Sequence, residues 1–310
     1  MKKLFLGLSF VLFFLLTGNS QSNIYPDDST SRLENSLLWE ISGKNLTAPS
    51  FLFGTIHMVP KEYYFLPANT DSVFSLSKEI VFEIDMATMN DFGAQIAMIS
   101  KVMLPNNQTL KDLLSKEDYA TVNKAFSGKG LPMFLLERIK PIFLTSFLSE
   151  DFSMIGGGGE NKMKSYEMEF MKMATAQQKP TDGLETIDFQ MGIMDSIPYK
   201  VQAQMLVATI QDTTQGDNDM EKMYEAYKNQ NLTALDKMIN GDESEFAGYT
   251  TMLLDNRNKK WISRMRQKMA KQSTFFAVGA GHLGGKNGVI NLLRRQGYTL
   301  RAIGISPKNR

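Results

Sequence analysis

Apolar residues gather in short runs near both ends of the chain and fall into helical spacing between them. Leu37-Leu38-Trp39-Glu40-Ile41 and Ser50-Phe51-Leu52-Phe53 read as two strands, which segment 43–49, opened by Gly43 and closed by Pro49, joins as a hairpin. Segment 70–78 has Val73, Phe74 and Leu76 at helical spacing, and Glu79-Ile80-Val81-Phe82-Glu83-Ile84-Asp85 returns as a β-branched strand. The same order recurs near the C-terminus. There Thr274-Phe275-Phe276-Ala277-Val278 is a strand, 281–285 a loop, 289–295 a helix ended by Gly297, and 298–305 the returning strand. Helical periodicity fills 116–126, 132–150, 165–177, 187–195, 199–210, 219–229, 233–240 and 245–269. The pattern predicts an α/β fold with a central mixed sheet. It is built from two strand–turn–helix–strand units with right-handed crossovers and carries a large helical insertion over roughly 110–272.

The amino terminus changes the picture. Lys2 and Lys3 precede an almost unbroken apolar segment over 4–16, followed by Thr17-Gly18-Asn19-Ser20. This is the layout of a cleaved secretory signal, residues 1–20, and the segment is too short for a comfortable span. The expected mature protein, 21–310, is a single exported domain, periplasmic or extracellular, with no stable membrane span after cleavage. Cys 0 in the chain excludes a lipid-anchored cysteine, disulfides, thiolate metal sites and a cysteine nucleophile. Without Lys2 and Lys3 the 34 basic residues become 32, against 33 acidic, a net −1. That balance gives no long-range attraction for nucleic acid. Many of the 21 methionines, including Met163, Met168, Met171, Met173, Met191 and Met194, are spaced as adaptable core filling. Gly156 to Gly159 lack the following Lys-Ser or Lys-Thr of a phosphate cradle and read as a loop beside the cleft.

The two histidines of the chain close the same pattern, Gly54-Thr55-Ile56-His57 and Gly279-Ala280-Gly281-His282, each at the exit of a strand. Ligands of open α/β sheets bind at the carboxyl ends of the strands, and glycine there permits a sharp turn. Two neutral imidazoles and a carboxylate suit a divalent metal with positions open for water and substrate, and hydrolysis is its natural chemistry. Glu83 leads as the carboxylate because it lies in an apolar strand, where a charge is costly unless paired; the competing reading is an outward-facing strand residue. Glu185, in Gly183-Leu184-Glu185-Thr186, is the second choice, or else caps the helix near Ile187. Arg257 and Asn258 lie on a helix leading to the second histidine strand. There a guanidinium either holds a substrate carboxylate or oxyanion or belongs to a solvated basic face with Lys259, Lys260, Arg264 and Arg266.

Leu38-Trp39-Glu40-Ile41-Ser42-Gly43, Phe53-Gly54-Thr55-Ile56-His57, Phe82-Glu83-Ile84-Asp85, Gly183-Leu184-Glu185-Thr186, Arg257-Asn258 with Trp261, and Val278-Gly279-Ala280-Gly281-His282-Leu283 occur in that order. Together they resemble the TraB/PrgY/GumN family, which includes the Tiki proteases, over nearly the whole mature chain. The resemblance implies a Tiki- and erythromycin-esterase-like α/β core with a helical insertion. It also implies metal-dependent peptidase activity on a peptide or protein substrate, supported by manganese or cobalt, with zinc a further option. His57, His282 and Glu83 are then the metal ligands, and Glu185, Arg257 and Asn258 the other site residues. Two alternatives accompany this reading. One is a metal-free esterase-like hydrolase with His57 as general base oriented by Glu185; the other is a non-catalytic peptide- or haem-binding protein.

Overall fold

The strongest apolar runs form the middle of one sheet. The computed structural model describes residues 33–87, 92–148, 163–211, 216–240 and 248–304. Its strands are β1 (Leu38–Ser42), β2 (Ser50–Thr55), β3 (Val59–Pro60), β4 (Glu79–Ile84), β5 (Met163–Lys164), β6 (Thr181–Glu185), β7 (Thr274–Gly279) and β8 (Thr299–Ala302). β3 and β5 pair as a small antiparallel ribbon, and the other six form a mixed sheet in the order β6-β4-β7-β2-β1-β8. β6, β4, β7 and β2 run parallel to one another, whereas β1 is antiparallel to both β2 and β8. Every strand of the six-stranded sheet but β1 therefore runs the same way. The carboxyl ends of β2, β7, β4 and β6 line one edge of the sheet, where α/β folds place their ligands.

β2 is buried at every position and β7 at all but Gly279. Continuous apolar runs of this kind suit strands covered on both faces. The Thr70–Leu76 helix links β2 to β4, with β7 between them, and the Val289–Arg295 helix links β7 to β8 across β2 and β1. Phe53 of β2 packs edge-on against Phe170 at 5.0 Å and lies 6.1 Å from Phe275. Each such ring contributes about 1.5–3 kcal/mol by leaving water. The Phe53–Phe170 contact also fixes the Tyr166–Ala176 helix against the sheet, with its first turn at the end of β2.

The helical middle differs from its periodicity in two places. Where one helix is expected over 132–150, the described residues up to 148 form separate Met133–Leu136 and Pro141–Leu144 helices and a 3-10 turn, Thr145–Phe147. Pro141 is tolerated at a helix start but lacks an N–H and holds Lys140 extended (ψ 133), so one continuous helix cannot pass it. Segment 110–272 also contains β6, an edge strand of the main sheet, so this region is not purely helical. β8 is shorter than the 298–305 expected. Met163, Met191 and Met194 are buried as core filling, while Met168 is exposed. Residues 1–20 and the Gly156–Gly159 loop lie outside the described residues. Among the described residues no helix is long and apolar enough to cross a membrane.

Candidate functional site

Register brings the two Gly-x-x-His turns together. β2 pairs with β7 so that Gly54 faces Val278 and Thr55 faces Gly279. A Cβ at Gly54 would meet Leu283 Cδ2 at 2.9 Å and Ala280 Cα at 3.2 Å, so the second histidine turn packs directly on the first glycine. A Cβ at Gly279 would lie 3.2 Å from Glu83 Oε1. Gly279 has φ −53, and Gly54 is not among the residues of positive φ. These glycines serve close approach, rather than the sharp turn expected from the sequence.

His282 ends the 3-10 turn Ala280–His282 after β7 and is 3% exposed. Its Nδ1 lies 2.6 Å from Asn258 Oδ1, while Asn258 Nδ2 donates to Asn287 O at 3.0 Å. The amide oxygen only accepts, so Nδ1 carries the proton and Nε2 is the lone-pair nitrogen. Nε2 faces Arg257 Nη1 at 3.1 Å and Glu83 Oε1 at 3.6 Å. The Trp261 ring covers the imidazole, centroids 4.3 Å apart. Burial, reinforced by the Arg257 charge against the pull of Glu83, pushes His282 down to about 3. At neutral pH it is an uncharged acceptor.

Arg257, at the start of the Asn256–Met269 helix, is buried rather than part of a solvated face. Its Nε donates to Glu185 Oε1 at 3.0 Å, and Nη1 to Leu253 O at 3.0 Å and to His282 Nε2. Nη2 donates to Glu83 Oε2 at 2.6 Å and also to Glu185 Oε1. All five N–H groups of the guanidinium are thus engaged within the protein. Gln190 Nε2 bridges the same two carboxylates, 3.1 Å from Glu83 Oε2 and 2.7 Å from Glu185 Oε1. Trp261 Nε1 donates to Glu185 Oε2 at 2.9 Å, and Gly279 N to Glu83 Oε1 at 2.8 Å. Burial is the largest influence and opposes a charge on Glu83, but Arg257, joined by the two histidines and the Gly279 N–H, outweighs it and holds the carboxyl well below the usual range. Glu83 therefore points into the cluster rather than outward, and Glu185 is the inner partner of Arg257.

His57 follows β2, and its side chain is 19% exposed. Its Nδ1 lies 2.9 Å from Glu167 Oε1, off the N–H axis, so the contact is an ion pair rather than an aligned hydrogen bond. Glu167 sits in the first turn of the Tyr166–Ala176 helix, 6% exposed. It accepts from Thr55 Oγ1 at 2.7 Å and from Ser165 Oγ at 3.0 Å. Burial works against a charge on His57, yet Glu167 outweighs it and lifts the imidazole to about 9. The sequence reading had Glu185 orienting His57 in the metal-free alternative; the acid beside His57 is instead Glu167. Its signal in the sequence was slight, since an acid just after a helix-capping serine is usually a solvated dipole partner.

His57 and His282 interact electrostatically with each other, and both with Glu83 and Arg257, so the two ends of the chain meet at one site. Among the described residues no group of three or more His, Asp or Glu side chains is drawn together as a formed metal site. The chemistry of the donors nonetheless fits a divalent ion. Each imidazole has an acceptor beside Nδ1, Asn258 Oδ1 for His282 and the Glu167 carboxylate for His57, which favours Nε2 as the nitrogen presented to a metal. The 3.6 Å between His282 Nε2 and Glu83 Oε1 is the spacing of two ligands with bonds near 2 Å on one ion. Charge agrees: Glu83, Glu185 and Glu167 against Arg257 and a protonated His57 leave one negative charge uncompensated at neutral pH, and two once an ion displaces the His57 proton.

The profile of the TraB/PrgY/gumN family matches residues 37–302. The chain belongs to this family. It is 25% identical to a protein named metalloprotease TIKI1 from Xenopus tropicalis, over 92% of this chain and 64% of that one. It is 23% identical to human metalloprotease TIKI1, over 91% of this chain and 64% of that protein. Metalloprotease TIKI2 from Danio rerio is 23% identical over 85% of the chain and 60% of its own length. The chain thus spans less than two thirds of the length of these relatives. No solved structure matches it.

Proposed function

We propose that this TraB/PrgY/gumN-family chain is an exported hydrolase of peptide bonds, with His57, His282 and Glu83 as the ligands of one divalent metal. The observation that carries the reading is an acceptor beside Nδ1 of each imidazole, Asn258 Oδ1 for His282 and the Glu167 carboxylate for His57, with Glu83 Oε1 3.6 Å from His282 Nε2. A divalent ion there supplies Lewis acidity toward a water and a scissile carbonyl. His282 Nε2 is the neutral donor, its tautomer set by Asn258. Glu83 presents Oε1 while Arg257 and Gln190 hold Oε2. Glu185, with both oxygens engaged, orients Arg257 and Trp261 Nε1. Arg257 balances the two glutamates and holds the site rather than the substrate; its Nη1–H, which faces His282 Nε2 at 3.1 Å, would have to give way for an ion to take that lone pair. The peptide substrate and the dependence on a metal follow the names of the relatives; manganese or cobalt first, and zinc after, is what the resemblance to the Tiki proteases implies. Export by residues 1–20 follows the basic-then-apolar leader.

A metal-free reading has its own supporting observation, because the His57–Glu167 pair is also the arrangement of an oriented general base. A haem-binding reading has little support, since His282 Nε2 faces Arg257 and Glu83 rather than an apolar slot. The test is a peptide-library cleavage assay on chelator-treated protein before and after Mn2+, Co2+ or Zn2+, with calorimetry of each ion. Metal-restored cleavage that disappears in the His57→Ala/His282→Ala double variant is expected. Cleavage insensitive to chelator supports the metal-free alternative, and cleavage surviving in the double variant removes the site from the chemistry.

A further inference from the structure

We propose that Glu167 is the positioning residue of His57, locking the ring with Nδ1–H toward the helix and Nε2 toward the cleft; this rests on the metal-centre reading above. A carboxylate this buried is costly unless paired, and its partners reach beyond its own helix. Oε1 contacts both Thr55 Oγ1 at 2.7 Å and His57 Nδ1 at 2.9 Å, two residues apart on the same strand exit. Oε2 takes Ser165 Oγ at 3.0 Å, and Ser165 in turn accepts from Met168 N at 3.3 Å as the helix cap. One carboxylate oxygen thus ties the ring to the strand that carries it, and the other ties the carboxylate to the helix start. An ionised carboxylate only accepts, so the facing Nδ1 keeps its proton in either charge state of the ring. That leaves Nε2 as the only nitrogen of His57 able to donate a lone pair to an ion. Tyr166 OH donates to Phe65 O at 2.7 Å, and Phe170 packs on Phe53, so the helix bearing Glu167 is held on both sides of this turn.

The experiment uses the full chain without a histidine tag, chelator-treated, as wild type, Glu167→Gln, Glu167→Asp and Thr55→Val. Co2+ is titrated by calorimetry and by its visible absorption. Ring 15N spectra of the metal-free protein at high pH report which nitrogen of neutral His57 carries the proton. Losing a group that holds a metal-binding histidine in place typically costs ~10–100-fold in metal affinity. Glu167→Gln is expected to fall in that range with an altered Co2+ spectrum, and to lose the Nδ1–H preference of His57 at unchanged circular dichroism. Glu167→Asp should recover part of the affinity, and Thr55→Val should show a smaller loss in the same direction. A folded Glu167→Gln with wild-type Co2+ affinity, spectrum and tautomer overturns the proposal. Should that variant fail to fold, wild-type behaviour of Thr55→Val overturns it equally. A wild type that binds no Co2+ but shows the Nδ1–H tautomer, lost in Glu167→Gln, sinks the metal-centre reading while leaving the positioning role standing.

Discussion

Arg257→Met removes a buried charge while keeping most of the side-chain volume, so its cost reports the charge and the hydrogen bonds rather than packing. The guanidinium and Glu185 are each 4% exposed and Glu83 is 11% exposed, and none can turn to water without moving the helix or the strands. Removing one partner of such a buried ion group costs about 3–5 kcal/mol, because the remaining charges are stranded. A residue on a solvated basic face would cost within about 0.5 kcal/mol, so the two readings differ several-fold. At roughly 2–4 °C per kcal/mol for a domain of this size, the melting temperature should fall by about 6–20 °C. Urea titration of metal-free protein measures the free energy directly.

A pH series sharpens the test. In the wild type Glu83 is depressed, so its contribution to stability is present above the unfolded carboxylate range and is lost as pH falls. In the variant, burial without the Arg257 counter-charge raises Glu83, so the folded state gains protons as pH falls. The gap between the two proteins should therefore narrow from about pH 7 to about pH 5. A loss below about 1 kcal/mol, or a gap that does not narrow, would refute the charge-clamp reasoning.

Three further outcomes follow from the geometry. In metal-free, tag-free protein, NMR should show His57 titrating near 9 and His282 remaining neutral down to about 3; two histidines titrating near 6.5 would contradict both environments. By linkage, the His57 contribution is full below about 6.5 and lost as pH rises toward 9, whereas that of His282 is lost as pH falls from about 6.5 toward 3. Gly54→Ala should destabilise by about 1–3 kcal/mol through overpacking against Ala280 and Leu283. Gly128→Ala, with nothing within 4 Å of its Cβ, should be neutral or slightly stabilising; equal melting temperatures would refute the close-approach argument. Glu83→Gln should weaken metal binding strongly and Glu185→Gln should leave it largely intact, and calorimetry showing the reverse would exchange their roles.

The sheet was legible because its strands are near-continuous apolar runs, and burial on both faces leaves few other placements for Phe51-Leu52-Phe53 or Phe275-Phe276-Ala277. β6 does not stand out as a strand, since Thr181-Asp182-Gly183 reads as a turn; at Gly183 an added Cβ would meet Asp85 N at 2.4 Å. The glycine argument reached the right residues through the wrong physics. Pattern identifies glycine but does not separate a positive φ from a close approach, and only the packing of Leu283 and Ala280 on Gly54 distinguishes them. Arg257 was ambiguous for a related reason. Lys259, Lys260, Arg264 and Arg266 share its helix, and periodicity alone does not say which basic residue turns inward.

Glu167 shows why part of the site was hidden. A pattern reading weighs a carboxylate by its neighbours in sequence, and those of Glu167 are a capping serine and a helix, which assign it to the dipole. Its decisive partner, His57, lies more than a hundred positions earlier and meets it only because Phe53, Tyr166 and Phe170 press that helix onto β2. Asn258 is the parallel case, an amide beside an arginine that fixes a histidine 24 residues later. The histidines and strand glutamates announce themselves because their chemistry is rare in their surroundings. The groups that orient them are ordinary polar residues in ordinary helices, and packing of the aromatic core converts them into parts of the site. A core substitution such as Phe170→Leu should accordingly loosen Glu167 and weaken Co2+ binding without touching any group near the ion. Unchanged Co2+ affinity in that folded variant would show that the helix holds its place without the Phe53–Phe170 contact.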